Sequence, residues 1–196
     1  MHSRFLYFAH ERLSPAELSA ARLDGHLADL GEGYMPADAV ETGEMRAASL
    51  RPLCTDRFAA CLWSAAWVHG ALWDPPARHS LTRAGVRRPG SQFSRRASFH
   101  DVGAAAGDIA TWADVPVTTP GKTLVDLLRL ARHDDVSAAW TKRAARGLVS
   151  LYPDAVDLAR SRLEQSGRLP GKRTALTRLA ALAAADHARD QEEVTR

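Results

Sequence analysis

The sequence predicts an α+β protein in which a small helical N-terminal region precedes a mixed α/β domain with a short sheet and C-terminal helices. Three observations predict this fold class. A capped helix begins at residue 14, stretches of alternating polarity lie between residues 79 and 118, and helical apolar periodicity dominates after residue 120. At 196 residues and 45% apolar composition, the chain is long enough to bury a sizeable core.

The N-terminal region starts with a capping box, in which Ser14 is the N-cap, Pro15 takes the first helical position and Glu17 follows three residues after Ser14. The apolar stripe of this helix continues to Leu30, with Gly25 as a candidate break into two helices. Residues 31–36 are turn-rich and have room for one short extended piece. Helix, turn, helix and a glycine-bearing hairpin is the outline of a winged helix, here abbreviated.

Two further helices are expected over residues 44–53 and 57–69, separated by Pro52, with Thr55 or Asp56 capping the second. Gly70 is a suitable residue to end that helix. His69 lies in its last turn, where a partly protonated imidazole would suit the helix dipole, and we interpret it as structural because no nucleophile or acid stands beside it. Trp63, Trp67 and Trp73 fall close to helical spacing, which favours core packing over stacking on bases, although Trp67 or Trp73 could do the latter.

Strands are predicted over residues 79–83 and 95–102, with residues 89–91 as the turn between them, and over residues 108–112 and from Val115. Thr119 is a natural N-cap and Pro120 a natural first residue for the helix that follows. The remaining helices are expected over residues 136–146, 152–165 and 171–187. Gly147 is interpreted as the stop of the first of these three.

The Gly121-Lys122-Thr123 sequence between a strand and a helix suggests a phosphate-binding loop, but its spacing rejects that interpretation. The pattern needs another glycine five residues before Gly121, and position 116 is proline, which also lacks an N–H donor. We therefore interpret the stretch as a capped core helix. On that interpretation Lys122 and Asp126 form an i,i+4 ion pair on the solvated side of the helix.

The charge distribution is more informative than the net charge of +3. Residues 11–44 contain eight acids and two arginines, Arg12 and Arg22. Between Asp74 and Asp101 there is no acid, and the arginines there are Arg78, Arg83, Arg87, Arg88, Arg95 and Arg96. This basic stretch could contact nucleic acid or pair with the acidic N-terminal segment, and the sequence leaves both open.

The sequence holds no recognisable catalytic motif, since it lacks a nucleophile elbow, a dinucleotide fingerprint and Cys/His spacing for zinc. Asp108, Asp114 and Asp126 could in principle hold a metal, but their spacing specifies no site. Cys54 and Cys61 are expected to be buried free thiols. We expect no cofactor and no metal. We also expect no membrane span, because no apolar run approaches the length that one needs, and a cytosolic location, because the first ten residues have too short an apolar core for a signal peptide.

Three pieces in order resemble the AbiEi-family antitoxins of bacterial type IV toxin-antitoxin systems, in their actinobacterial form: Ser64 to Gly70, the strand pair with Arg95-Arg96, and Val117 to Arg129. The resemblance implies a reduced winged-helix-like region at residues 1–56, an antitoxin α/β domain at residues 57–190 and a polar tail at residues 191–196. It also implies a non-catalytic antitoxin that counteracts a nucleotidyltransferase toxin and represses its own operon. The abbreviated, acidic N-terminal half departs from the family pattern, and Lys122 stands where the family often has arginine.

The residues expected to act fall into two groups. The arginines of the basic stretch are candidates for contact with DNA or a protein partner. The residues of the family motif that we interpret as structural are Trp67, His69, Gly70, Thr119, Pro120, Lys122, Thr123 and Asp126. An alternative is an orphaned recognition domain related to the N-terminal part of very-short-patch-repair-like endonucleases, because the same layout precedes their nuclease module and no Asp/Glu-x-Lys nuclease core follows residue 180.

Overall fold

The computed structural model describes residues 5–54, 57–84, 95–130 and 135–194. The described residues form seven α-helices: α1 (Pro15–Leu23), α2 (Gly43–Ser49), α3 (Leu62–Val68), α4 (Pro120–Leu130), α5 (Asp135–Leu151), α6 (Ala155–Gln165) and α7 (Lys172–Val194). They also form seven strands: β1 (Leu27–Leu30), β2 (Gly33–Pro36), β3 (Phe58–Ala60), β4 (His79–Arg83), β5 (Ala97–Phe99), β6 (Ile109–Trp112) and β7 (Val115–Thr118). The predicted α+β class is confirmed.

The central sheet has five strands in the order β5-β4-β3-β7-β6. The pairs β3–β4 and β6–β7 are antiparallel, whereas β4–β5 and β3–β7 are parallel, so the sheet is mixed. Its central strands are buried because the side chains at Ala59, Ala60, Val115 and Val117 are apolar and small enough to be covered on both faces. Helix α4 follows directly from β7, and α5, α6 and α7 pack around it.

The N-terminal region folds differently from the two helices that the apolar stripe suggested. The capping box at Ser14 is present, with Glu17 accepting from the Ser14 N–H at 2.8 Å, and α1 begins at Pro15 as predicted. The stretch after Gly25, which we expected to be helical, instead forms strand β1 and pairs antiparallel with β2. The helical interpretation was wrong because Gly25 has a φ of +77°, which turns the chain away from the helix and into a hairpin.

The helix expected over residues 57–69 is in fact a strand followed by a helix. Residues 58–60 form β3, and α3 starts at Leu62, whose φ of +48° marks the change of direction. A positive φ normally calls for glycine, so a leucine there gives the sequence no turn signal. The helix ends as predicted, with His69 at the C-cap and Gly70 at a φ of +82°. The expected cap at Thr55 or Asp56 lies outside the described residues, as does the turn at residues 89–91.

Gly147 does not end α5, which continues to Leu151, so that prediction was wrong. The glycine lies in the middle of the helix because the helix passes close to the backbone of residue 71. A Cβ at position 147 would lie 2.5 Å from the Ala71 carbonyl oxygen and 2.8 Å from its Cα. Close packing of α5 on this backbone therefore requires a residue without a side chain.

We expect Gly147→Ala to lower the free energy of unfolding by about 1–3 kcal/mol, because the methyl group must displace backbone atoms. Helix propensity alone predicts the opposite sign, a gain of about 1 kcal/mol. Urea unfolding of the variant measures the difference. Gly167→Ala is the matched control, because a Cβ at position 167 meets no atom within 4 Å. A Gly147→Ala protein more stable than the parent would contradict the packing argument.

Candidate functional site

The described arginines of the basic stretch, Arg78, Arg83, Arg95 and Arg96, lie at the β4–β5 side of the sheet, where β5 is the edge strand. Arg78 and Arg96 stand just before the paired residues His79 and Ala97, so they come together at one end of this edge, with the exposed Arg95 beside them. Arg83 lies at the other end of β4, about 16 Å away at 3.3 Å per residue. Arg87 and Arg88 lie outside the described residues.

Arg78, Arg83 and Arg96 each form hydrogen bonds with other described residues. Arg78 donates to the Ala97 carbonyl at 2.8 Å, and Arg83 donates from Nη2 to both carboxylate oxygens of Asp101 at 2.9 and 2.8 Å. Arg96 donates from Nε to Glu32 at 2.9 Å and from Nη2 to the Gly31 carbonyl at 3.2 Å. Glu32 belongs to the acidic N-terminal segment, so pairing between that segment and the basic stretch occurs at Arg96.

Behind Arg96 lies a buried polar relay that the sequence did not predict. The Ser80 N–H donates to Ser64 Oγ at 2.8 Å, and Ser64 Oγ lies 3.1 Å from His79 Nδ1. His79 Nε2 in turn lies 3.7 Å from Glu32 Oε1. Burial, reinforced by the charge of Arg96, lowers the pKa of His79 to about 4, so its imidazole is neutral at pH 7.

Ser64, His79 and Glu32 are the residue types of a hydrolase triad, but their arrangement does not fit that chemistry. In a triad Nε2 faces the serine and Nδ1 faces the acid, whereas here the two nitrogens are exchanged. The exposed fraction is 0% for Ser64 and 2% for His79, so a substrate cannot reach the hydroxyl. The hydrogen bonds that hold the β1–β2 turn beside β5 are those of Arg96 with Glu32 and the Gly31 carbonyl.

The family motif after β7 also differs from the prediction. The predicted i,i+4 pair of Lys122 and Asp126 is confirmed, but its solvated placement was wrong, because Lys122 is 3% exposed and Asp126 is fully buried. Lys122 contacts Asp126 directly and donates to the Val102 carbonyl at 3.3 Å, while Arg129 donates to the other Asp126 oxygen at 3.3 Å. The reason is that α6 packs against α4. The apolar pattern of α4 did not predict that the face with Lys122 and Asp126 would be covered.

Burial raises the pKa of the Asp126 carboxyl, and the neighbouring Lys122, Arg129 and Arg162 oppose that rise. We name the four groups Lys122, Asp126, Arg129 and Val102 the α4 charge cluster. Thr123, one turn into the helix, donates from Oγ1 to the Thr118 carbonyl at 3.2 Å. The motif residues thereby fasten α4 to the end of β7.

A pocket of about 500 Å³ opens beside the start of α4. Its cations are already paired, since Lys122 contacts Asp126 and Arg162 contacts Asp108. Among the described residues, the pocket therefore offers a phosphate group no side-chain cation that is not already paired. A Cβ on Gly121 would lie 3.0 Å from Leu158 Cβ, so this glycine allows α6 to approach α4.

His69 fastens the end of α3 to two other elements. Its Nε2–H donates to the Thr118 carbonyl at 2.7 Å, and its ring packs edge-on against Trp112 and Tyr152. Burial lowers the pKa of His69 to about 4, so the partly protonated imidazole expected from the helix dipole was wrong. Nδ1 has no hydrogen-bond partner among the described residues.

The tryptophans divide between core and surface. Trp67 is fully buried and Trp63 is half-buried, with its Nε1–H donating to Thr141 Oγ1 at 3.3 Å. Trp73 is 77% exposed, so core packing was the wrong interpretation for this residue. Helix α3 ends at Val68, and Trp73 lies in the loop that follows, beyond the helical register.

The two cysteine thiols are inaccessible. Cys54 and Cys61 are free and buried, as predicted, and burial raises the pKa of Cys54 to about 12. Within residues 5–54, 57–84, 95–130 and 135–194, no group of three or more His, Cys, Asp or Glu side chains is arranged to hold a metal ion. Across the same ranges, no helix combines the length and apolar character that crossing a bilayer requires.

Comparison with known proteins gives one family match. A family model described as the AbiEi antitoxin C-terminal domain matches residues 58–182. The crystal structure of the RV2827C protein from Mycobacterium tuberculosis is similar at 19% identity over 87% of this chain and 70% of that chain, with a TM-score of 0.36. No curated protein matches the sequence.

Proposed function

The chain belongs to the AbiEi antitoxin family, and on that premise we propose that it is the antitoxin of a type IV toxin-antitoxin system and counteracts a nucleotidyltransferase toxin. The observation that carries the proposal is the extent of the family match. It begins at Phe58, the first residue of β3, and continues into α7. The matched part therefore contains the whole five-stranded sheet, which supports residues 57–190 as the antitoxin domain and favours this function over the endonuclease-related alternative.

We propose further that the protein acts without catalysis of its own, in the cytoplasm. Among the described residues, four buried polar groups of the kinds used in acid–base or nucleophilic chemistry are engaged in packing: Ser64 and His79 in the relay, His69 at the end of α3, and Asp126 in the α4 charge cluster. Such groups hold elements together and are closed to substrate. Antitoxicity is thus expected to come from a surface of the folded domain.

The test is rescue of growth. A nucleotidyltransferase encoded beside this chain is expressed from an inducible promoter, alone or with the full-length chain, and growth is followed after induction. We expect growth to stop with the nucleotidyltransferase alone and to be restored by the chain, while a version of the gene with an early stop codon gives no rescue. Continued arrest in the presence of soluble, folded chain would contradict the proposal.

A second candidate function is repression of the operon by DNA binding. One observation favours it: exposed helix α1 leads directly into the β1–β2 hairpin, the order of a recognition helix and its wing. The acids of this segment oppose contact with phosphates, although Glu32 is paired with Arg96 and Asp29 with Arg22. The arginines Arg78, Arg83, Arg87, Arg88, Arg95 and Arg96 would then supply the positive charge.

Replacing Arg87, Arg88, Arg95 and Arg96 with Ala is expected to weaken binding to the upstream DNA and to flatten its dependence on salt. With fewer phosphate contacts, the complex releases fewer counterions from the DNA when it forms. Fluorescence anisotropy with that DNA and with a shuffled duplex, at two salt concentrations, measures both effects. The control removes the same charge from exposed positions elsewhere, namely Arg143, Arg160, Arg168 and Arg173. Equal losses in both variants would remove the sheet edge from the site.

A further inference from the structure

An open apolar groove of about 380 Å³ runs between α5 and α7 over the end of α4. Its apolar lining is aliphatic and mostly small, consisting of Leu128, Ala138, Ala145, Ala181, Leu182 and Ala185. On each helix the lining residues follow the i, i+3, i+4, i+7 spacing of a single face: residues 138, 141, 142, 145 and 146 on α5, and 178, 181, 182 and 185 on α7. The groove is about 12 Å long at 1.5 Å per residue.

The charged residues that line the groove are all cationic: Lys142 and Arg146 on α5 and Arg178 on α7. The sequence of α5 contains no acid after Asp135, and that of α7 contains none before Asp186. Within the described part of the chain, Lys142 and Arg146 form no ion pair, and both are exposed. Arg178 is fixed on the inner side of the groove, where its Nη1 donates to the Leu128 carbonyl at 2.8 Å.

We call the aliphatic lining of the groove its floor and the exposed cations Lys142 and Arg146 its rim. The floor and the rim favour different chemical groups on a ligand. An aliphatic floor is covered favourably by apolar side chains, at about 25 cal/mol per Å² of area removed from water. A cationic rim favours carboxylates beside them. Alanines on the floor let a helix approach closely, to an interaxial distance of about 8 Å. These demands are met together by a helix that has an apolar stripe flanked by acids.

Nucleic acid fits the groove less well. Single-stranded nucleic acid gains affinity by stacking bases on aromatic rings, and none of the described residues that line the groove is aromatic. The uncharged hydroxyl in the lining, that of Thr141, already accepts from Trp63 Nε1. Aliphatic surface offers nothing to phosphate groups.

We propose that the α5–α7 groove is a docking site for an acidic amphipathic helix of a partner protein. Two turns of that helix span the groove, with two or three apolar side chains on the alanine floor and carboxylates against Lys142 and Arg146. This inference does not depend on the identity of the toxin or on DNA binding by the sheet edge, since it concerns another face of the molecule.

The probe is a synthetic, end-capped, fluorescently labelled helical peptide of roughly 18 residues, or five turns, with leucine on one face and glutamate on the other. A peptide of the same composition in scrambled order, which cannot form an apolar stripe, is its control. A second control replaces every glutamate with lysine. Binding of each peptide to the full-length chain is measured by anisotropy, together with a DNA duplex and a single strand.

Two groove variants and their matched controls locate the binding. Lys142→Glu with Arg146→Glu reverses the rim, and Arg143→Glu with Arg160→Glu makes the same charge change at exposed positions outside the groove. Ala181→Glu places an acid on the floor, whereas Ala180→Glu places it at the neighbouring exposed position that does not line the groove. Circular dichroism melts establish that each variant is folded.

We expect the acidic amphipathic peptide to bind, and the two groove variants to weaken its binding about tenfold or more while the two controls change it by less than about threefold. Three results would overturn the proposal. The first is absence of binding by this peptide, and the second is equal binding by the scrambled peptide or equal loss in the control variants. The third is nucleic-acid binding that the groove variants abolish while peptide binding is unaffected by them.

Discussion

Replacing Asp126 with Ala is expected to lower the free energy of unfolding by about 3–5 kcal/mol. The substitution leaves Lys122 inside the protein without its carboxylate, and its remaining hydrogen bond is the 3.3 Å contact with the Val102 carbonyl. Arg129 loses the same partner. A buried cation without a counter-ion costs far more than the loss of a surface pair, which is worth about 0–1 kcal/mol. Urea unfolding of the full-length chain measures the difference.

A double variant separates the cost of an unpaired charge from the loss of an interaction. Lys122→Met with Asp126→Leu removes both charges and keeps apolar bulk, and we expect it to recover most of the stability that Asp126→Ala loses. If the single substitution cost less than about 1 kcal/mol, Lys122 would have to reach solvent, as the sequence alone suggested. The experiment therefore decides between the buried and the solvated placement of this pair.

Local sequence signals were sufficient for several elements of the fold. The capping box fixed the start of α1, the alternating polarity of residues 79–83 gave β4, and Pro120 marked the start of α4. Each of these signals lies within the element that it predicts. They are therefore readable without knowledge of what packs against them.

The errors arose where a distant part of the chain decides the local structure. Residues 58–60 become a strand because β4 and β7 pair with them on either side, and Leu62 then turns the chain at a positive φ without glycine. Gly147 indicated a helix end by composition, but it lies in the helix so that the Ala71 backbone can come close. No window of local sequence contains the partner in either case.

The candidate sites show the same division. The sequence predicted the i,i+4 pair of Lys122 and Asp126 but not its burial, and it left open which partners the arginines contact. Arg96 and Glu32 are separated by 64 residues in sequence, and Arg162 reaches Asp108 across 54. Pairs at such separations depend on how β5 lies beside the β1–β2 turn and how α6 covers α4. The burial of Lys122 follows from the same covering helix.

Acidification is expected to destabilise the protein between about pH 6.5 and about pH 4, by about 3 kcal/mol for each of His69 and His79. Burial lowers the pKa of both imidazoles to about 4 from the ordinary value of 6.5. Across this range the unfolded chain binds a proton at each site and the folded chain does not. The stability is therefore complete above pH 6.5 and is lost as the pH falls through the window. Urea unfolding at a series of pH values measures the slope.

Replacing one histidine at a time assigns the slope to its sources. The ring of His69 faces Trp112 and Tyr152, whereas that of His79 faces Glu32, with Arg96 close enough to oppose a second positive charge. We expect His69→Gln and His79→Gln each to reduce the pH dependence, because each removes one imidazole whose pKa burial lowers to about 4. A slope that survives both substitutions would mean that other groups carry the acid sensitivity. If His79→Gln alone flattened the profile, protonation of His79 would carry most of the acid sensitivity.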